Sequence, residues 1–351
     1  MSVGLERTLE LLLSARRAPP GISGPWRQMA EFACRPGKRL RPALLEIGWR
    51  AAAQRKPASG RPASPRGVQR FGAGLELLHA FFLVHDDIAD AADTRRGGPA
   101  LHRVLGEGKL GENLATVAGD LLFVEATDAM LSCGLRGAAR AVREVLAVCR
   151  HTAAGQYLDL AFSEADLRDV APAAAKRAEH LKTARYSFEA PLTAGALLAE
   201  GKPELVKALR KVARPLGLAF QLQDDLLPFR VGDQAGKPAL ADLVGGKKTW
   251  LMTLAFQALD ELGRARLRRC LREADEEAFW EMERLVRGCG ALAQVEREVE
   301  KLCGASRRAA KSPWLEEVQQ ELCCAIEKVA TPSVVAAGRL LERDRRGAGA
   351  P

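Results

Sequence analysis

Apolar residues recur three and four positions apart through most of this chain, and that spacing commits it to helices. The segments 205–228, 250–275 and 314–329 carry the pattern, within a sequence rich in the helix formers Ala, Leu, Arg and Glu. The competing signal is weak. Aromatics make up 5% of the residues, and runs rich in Val, Ile, Thr and Tyr are few, so strands find little support. No internal repeat of fixed period appears. With 351 residues and 47% hydrophobic content, the expected architecture is all-α, a single large domain over 1–351.

Three stretches interrupt the helical pattern. QRKPASGRPASPRG at 54–67 reads as a solvated loop between helices, and DQAGKPALADLVGGKK at 233–248 as a second, charged breaker. The basic tail RDRRGAGAP at 343–351 is expected to fray. The N-terminal MSVGLERTLELLLSARRAPPG has an acidic residue inside its apolar stretch and no clear cleavage site, so it reads as an amphipathic helix, not a signal peptide. No apolar run reaches the about 18 residues that a membrane span needs. The net charge of +9 suits nucleic acid, an anionic membrane surface or a polyanionic substrate. Its basic residues are scattered, with no long block and no interleaved aromatics, which leaves nucleic acid as one candidate among the three. Eight cysteines without a CxxC spacing read as reduced thiols of a cytoplasmic protein.

The chemistry concentrates in ELLHAFFLVHDDIADAADTRRGGPALH at 76–102, where an apolar helix runs into Asp86, Asp87, Asp90 and Asp93. On a continuing helix Asp86, Asp90 and Asp93 share one face. Like charges so placed need a cation, and carboxylates suit Mg²⁺, which binds through few carboxylates plus substrate phosphates. Arg95 and Arg96 follow at once, and guanidinium binds phosphate bidentately. A solvated acidic face paired with those arginines is the plain alternative. A second cluster repeats the theme: FQLQDDLLPFRVGDQAGKPALADLVGGKK at 220–248 sets Asp224 and Asp225 late in an apolar helix, ahead of Lys237, Asp242, Lys247 and Lys248. Two acidic helix ends, each followed by basic residues, describe two walls of a metal–phosphate site. RPGKRLRP at 35–42 adds a compact basic turn able to cradle a second phosphate, or to start a helix with surface charge.

Together these segments resemble the trans-isoprenyl diphosphate synthases, the polyprenyl synthetase family. The resemblance covers about 30 to 330 and rests on GKRLRP at 37–42, HAFFLVHDDIADAADTRRG at 79–97, AGDLLF at 118–123, GQYLDL at 155–160, KTA at 182–184, FQLQDD at 220–225 and GKPALADLVGGKKT at 236–249. It implies the isoprenoid synthase fold, a bundle of long antiparallel helices around a central cavity, usually a homodimer. Metal would be held by Asp86, Asp87, Asp90, Asp224 and Asp225, with Asp86, Asp90 and Asp224 as the main ligands of about three Mg²⁺ ions. Arg95, Lys182, Lys237 and Lys247 would hold an allylic diphosphate such as dimethylallyl or geranyl diphosphate. Lys38, Arg41, His79 and Arg96 would hold isopentenyl diphosphate, with Lys182, Thr183 and Gln221 at the reacting centre. Phe81 and Phe82, about one turn before Asp86, occupy the family's chain-length floor and imply a farnesyl (fifteen-carbon) product, with geranylgeranyl or geranyl diphosphate as the alternatives.

The chain departs from the family pattern at Pro228, where the second motif normally ends in Asp, and at Leu240, a usual glycine position. A proline there removes a backbone hydrogen bond and leaves open a non-catalytic subunit of a heteromeric synthase. A terpene cyclase shares the ionisation chemistry but needs no isopentenyl site, so Lys38, Arg41, His79 and Arg96 argue against it.

Overall fold

The computed structural model describes residues 2–15, 18–54, 65–230, 247–273 and 275–331. Lys237, Leu240, most of the 233–248 segment and the tail lie outside them. The chain divides into two compact units, Met1–Leu146 with Ala190–Lys207, and Ala147–Glu189 with Ala208–Pro351. Both are helical. Among the described residues the strand content is one antiparallel ribbon of two residues a side.

The first unit contains α1 (Ser2–Ala15), α2 (Ser23–Cys34), α3 (Leu40–Ala53), α4 (Pro65–Ala89), β1 (Thr94–Arg95), β2 (Gly98–Pro99), α5 (Leu101–Leu105), α6 (Gly108–Leu131), the start of α7 (Ala138–Glu164), α9 (Ala190–Leu198) and the first residues of α10 (Pro203–Arg230). The amphipathic N-terminus forms α1 as its pattern predicts, burying Leu5, Leu9, Leu12 and Leu13. Helix α4 runs along α6 and is its unit's central helix, with every residue from Phe71 to Leu78 buried. It begins at Pro65, inside the stretch expected to be loop, because proline fits the first helical turn, where its missing N–H costs nothing.

The second unit holds the rest of α7, α8 (Pro172–Glu179), a π-helical segment (His180–Glu189), most of α10, α11 (Trp250–Ala258), α12 (Glu261–Glu273), α13 (Glu276–Gly288), α14 (Ala291–Ala310) and α15 (Gln319–Ala330). On α10, Val212, Leu216, Ala219, Leu222 and Leu226 are fully buried, the three-and-four spacing of one apolar face. The helix expected over 250–275 is two helices. Leu259 turns extended, and the Asp260 carboxylate accepts from the Gly263 N–H to start α12. Helix α10 passes through Pro228 and continues to Arg230, so the proline sits in its last described turn.

Among the described residues no helix is long and apolar enough to cross a membrane. One face of α6 stands out nonetheless. Leu110, Leu114, Val117, Val124 and Leu131 follow a spacing of four, three, seven and seven, and are 43% to 64% exposed.

Candidate active site

In the first unit the acidic end of α4 meets a cationic cluster. Asp86 and Asp90 lie half-buried one turn apart, the Asp90 N–H donating to the Asp86 carbonyl at 2.8 Å. Asp87 points the other way and is fully buried. Its Oδ1 accepts from Arg95 Nε at 2.7 Å and pairs with the same guanidinium's terminal nitrogen. Burial pushes the Asp87 carboxyl up, and Arg95 pulls it back. Asp93 does not join Asp86 and Asp90. The helix ends at Ala89, Ala91 turns left-handed at φ 49°, and Asp93 pairs with Arg103 at 3.0 Å. The expectation of one face failed because it assumed another helical turn.

The ribbon after α4 carries Arg95 and Arg96. Its two-residue turn, Arg96–Gly97, has φ of 53° and 75°, the paired positive values that a tight hairpin requires. Arg35 fastens it, donating to the carbonyls of Arg95 at 3.2 Å and Pro99 at 2.7 Å. The basic turn of GKRLRP is fastened in turn by Arg39, whose φ of 44° is left-handed. This nearly buried guanidinium bonds Glu6 twice, buried Glu76 at 2.7 Å, and the carbonyls of Cys34 and Arg35. With Arg39 so held, Lys38 is exposed and Arg41 half-buried, while the Arg96 guanidinium packs over Gly37. His79 lies among these cations. Burial first, then Arg41, Arg96, Arg95 and Arg39, hold its imidazole well below the ordinary value, so it is neutral near pH 7. The structure therefore brings His79, Arg41 and Arg96 together in an anion-attracting cluster. Arg35 and Arg39, read in the sequence as part of the basic turn that could cradle a phosphate, instead build its frame.

His85 packs against Phe81: its Nδ1–H donates to the Phe81 carbonyl at 3.0 Å, and its ring lies 4.6 Å from that of Phe81.

In the second unit, Lys182 and Thr183 sit on the π-helical segment, a wide turn often found at functional sites. Two glycines admit it. A Cβ at Gly155 on α7 would stand 2.3 Å from Lys182 N, and one at Gly217 on α10 2.3 Å from the Ala184 carbonyl oxygen. Lys182 Nζ donates to Asp159 at 2.6 Å. Gln221 donates to Asp225 Oδ1 at 2.9 Å. Burial raises Asp225 to about 6, with Gln221 and Lys247 pulling down and Asp159 pushing up. Its hydrogen-bonding neighbour Glu179 is driven well above the carboxylate range by burial and by Asp225. Glu179 also accepts from the first N–H of α11, Trp250 N, at 2.6 Å. Asp224 is half-buried one residue before this pair, and Lys248 reaches the Ser163 carbonyl at 3.2 Å. Glu179 and Asp159 were missed as site neighbours. Asp159 lies inside the GQYLDL motif, a signal that was available, whereas nothing in the sequence around Glu179 marks it.

In the first unit Asp87 Oδ2 is a buried acceptor without a donor; in the second, Asp225 Oδ2 and Glu179 Oε2 have none unless the pair shares a proton, and a hard divalent cation also satisfies such atoms. Among the described residues no three His, Cys, Asp or Glu groups are placed together to hold a metal ion.

The polyprenyl synthetase family model matches residues 25–287. A short chain isoprenyl diphosphate synthase of Methanothermobacter thermautotrophicus is 36% identical over 245 residues, covering 68% of this chain and 69% of that protein. A geranylgeranyl diphosphate synthase of Methanosarcina mazei is 33% identical, with 74% of each covered. Among solved structures, geranylgeranyl pyrophosphate synthase from Corynebacterium glutamicum, complexed with isoprenyl diphosphate and magnesium, superposes with a TM-score of 0.80 at 29% identity, covering 93% of this chain and 97% of that one. The chain belongs to the polyprenyl synthetase family and is by class a prenyltransferase, an enzyme.

Proposed function

We propose that this chain condenses isopentenyl diphosphate with an allylic diphosphate, releasing diphosphate, and that its main product is farnesyl diphosphate. The observation that carries the reading is the cluster of His79, Arg41 and Arg96 in the same unit as the acidic turn of Asp86 and Asp90. It offers a cationic seat for one diphosphate beside carboxylates for the metal of another.

Asp86, Asp90 and Asp224 are assigned as Mg²⁺ ligands. Asp87 is assigned to positioning Arg95 because its carboxylate is buried against that guanidinium. When bound, Mg²⁺ supplies the positive charge that stabilises the leaving diphosphate as the allylic C–O bond ionises. Arg95, Lys182, Lys247 and, outside the described residues, Lys237 are assigned to the allylic diphosphate. Lys38, Arg41, His79 and Arg96 hold isopentenyl diphosphate. Neutral His79 donates or accepts a hydrogen bond there without adding charge. Thr183 and Gln221 lie along the reacting centre, where water must be excluded from the carbocation. The proton lost from the condensed product is taken by the departed diphosphate.

Phe81 and Phe82 stay half-buried one turn before Asp86, their ring centroids 4.9 Å apart, which supports a floor that stops the chain at fifteen carbons. The second reading is a twenty-carbon product, favoured by the geranylgeranyl relatives. The apolar stripe on α6 supports a homodimer, since its spacing is that of a helix seam. All eight cysteines are free thiols, in keeping with a reducing compartment such as the cytoplasm.

The test is metal-dependent turnover. Asp86→Asn and Asp224→Asn are each expected to lower kcat/KM by about a hundredfold and to weaken Mn²⁺ binding read by electron paramagnetic resonance. Wild-type values in both variants would remove these residues from the metal site.

A further inference from the structure

Resting on the condensation read above, we propose that Glu189 is a positioning residue for it. Its carboxylate clasps Arg185, Arg210 and Arg214, and the clasp holds the segment carrying Lys182 and Thr183 in its π-helical winding, which sets where those two side chains stand.

The first observation is the clasp itself. Glu189, the last residue of the π-helical segment, is fully buried. Its Oε2 accepts from Arg185 Nε at 2.9 Å and Arg214 Nε at 3.0 Å, and its Oε1 from Arg210 Nε at 3.1 Å and Arg214 Nη2 at 3.0 Å. Burial pushes its carboxyl up, but the bonds from Arg214 and Arg185 outweigh that and hold it below the ordinary value, so it is ionised near pH 7. A carboxylate taken out of water needs a cation beside it. This one gathers three, one from its own segment and two from successive turns of α10, so it ties two elements together.

The second is the winding. π-helical turns are rare and mostly single, yet here they span ten residues, His180–Glu189. On an α-helix Lys182 and Glu189, seven positions apart, would share a face. Instead they engage different helices: Lys182 Nζ donates to Asp159 of α7 at 2.6 Å, while Glu189 accepts from α10. The wider i→i+5 winding lets both sets of bonds exist. Relaxing the segment to an α-helix would turn one of them away from its partner.

The third is register. Arg210, Arg214, Gly217 and Gln221 follow steps of four, three and four, one face of α10. Gly217 on that face receives the Ala184 carbonyl, and Gly155, one turn before Asp159 on α7, receives Lys182 N. The two glycines accept the segment at Lys182–Ala184, and Glu189 pins its far end to the same face of α10 that leads to Gln221.

The experiment breaks the clasp at two points. Glu189→Gln removes the charge that gathers the arginines. Arg214→Gln removes two of the bonds from a side chain that is 49% exposed, and reads the effect if Glu189→Gln folds poorly. Arg214→Lys keeps the charge. Each is assayed with isopentenyl diphosphate, geranyl diphosphate and Mg²⁺, and each is labelled with fluorotyrosine for fluorine NMR. The chain has two tyrosines, so two lines are expected. Tyr186 lies buried within the π-helical segment and Tyr157 is 75% exposed on α7, so a soluble relaxation agent tells the lines apart. In Glu189→Gln kcat is expected to fall about a hundredfold, the cost of misplacing a reacting group by about 1 Å, and in Arg214→Gln about tenfold, because Arg185 and Arg210 still hold. KM for isopentenyl diphosphate, whose seat is assigned to other residues, should stay within about twofold of wild type. The Tyr186 line should move in both variants while the Tyr157 line stays, and Arg214→Lys should return kcat toward wild type. Wild-type kcat in folded Glu189→Gln and Arg214→Gln, with only their stability lowered, would overturn the proposal by reducing the clasp to a structural tie. A lower kcat with the Tyr186 line unmoved would overturn it too, because the winding would not have changed. A wild type that condenses nothing would overturn the proposed function, and with it any reacting centre for the clasp to position.

Discussion

The pair of Asp87 and Arg95 allows a sharp prediction, because its two partners differ so much in exposure. The Asp87 side chain is fully buried, and that of Arg95 is 33% exposed. At 2.7 Å and an effective dielectric of about 20, their attraction is about 6 kcal/mol before desolvation is subtracted. Removing either partner does not return that value; it returns the cost of leaving the other behind. Asp87→Asn keeps the shape and one acceptor, and Arg95 can turn its exposed edge to water. The expected loss is about 1.5 kcal/mol, that of one charge-assisted hydrogen bond. Arg95→Leu strands a carboxylate with no access to water, at a cost of about 3 kcal/mol, the low end for a broken buried pair because Arg35 still lends some charge. In urea unfolding at pH 7, Arg95→Leu should therefore be the more damaging single change. The double variant should cost less than the sum of the singles by about 1 to 2 kcal/mol. Equal single costs, or additivity within about 0.5 kcal/mol, would refute the claim that Asp87 is buried to hold Arg95.

Two further outcomes follow from the same structure. His79 stays neutral in the fold but takes a proton near its ordinary 6.5 when unfolded, so the unfolded chain binds more protons and stability is lost as pH falls below about 6.5. The urea midpoint of wild type should drop more steeply from pH 7 to pH 5 than that of His79→Gln, and parallel curves would contradict the assignment. If the proposed homodimer forms through the α6 stripe, Leu114→Glu and Val117→Glu should each lower the mass read by light scattering to that of a monomer without lowering helical content, and a mass equal to wild type would remove the stripe from the subunit contact.

Much of this was legible in the sequence because its signals are local. Helix periodicity and the scarcity of β formers suffice for the all-α class, and the order of the motifs for the family. Asp86, Asp90, Arg41, Arg96 and His79 could be proposed because each lies in a short segment whose residue types match one chemistry. What escaped depended on burial and on distant partners. Nothing in GKRLRP distinguishes Arg39, locked to Glu6 and Glu76, from Lys38, which stays in water. Nothing in the run of aspartates shows that the Asp87 side chain is buried against Arg95. Glu179, the last residue of α8, sits 46 residues from Asp225 on α10, and helical spacing says nothing about a pair on two different helices. Asp93 was misread for the opposite reason: helical periodicity was extended past a left-handed Ala91 that an alanine rarely signals.

The decisive measurement incubates the wild-type protein with isopentenyl diphosphate, Mg²⁺ and, in turn, dimethylallyl or geranyl diphosphate, and sizes the products by mass. Farnesyl diphosphate is expected from either starter, and none when Mg²⁺ is chelated. A folded protein that leaves both substrates unchanged would contradict the proposed function, and a twenty-carbon product would keep the chemistry while removing the aromatic floor at Phe81 and Phe82.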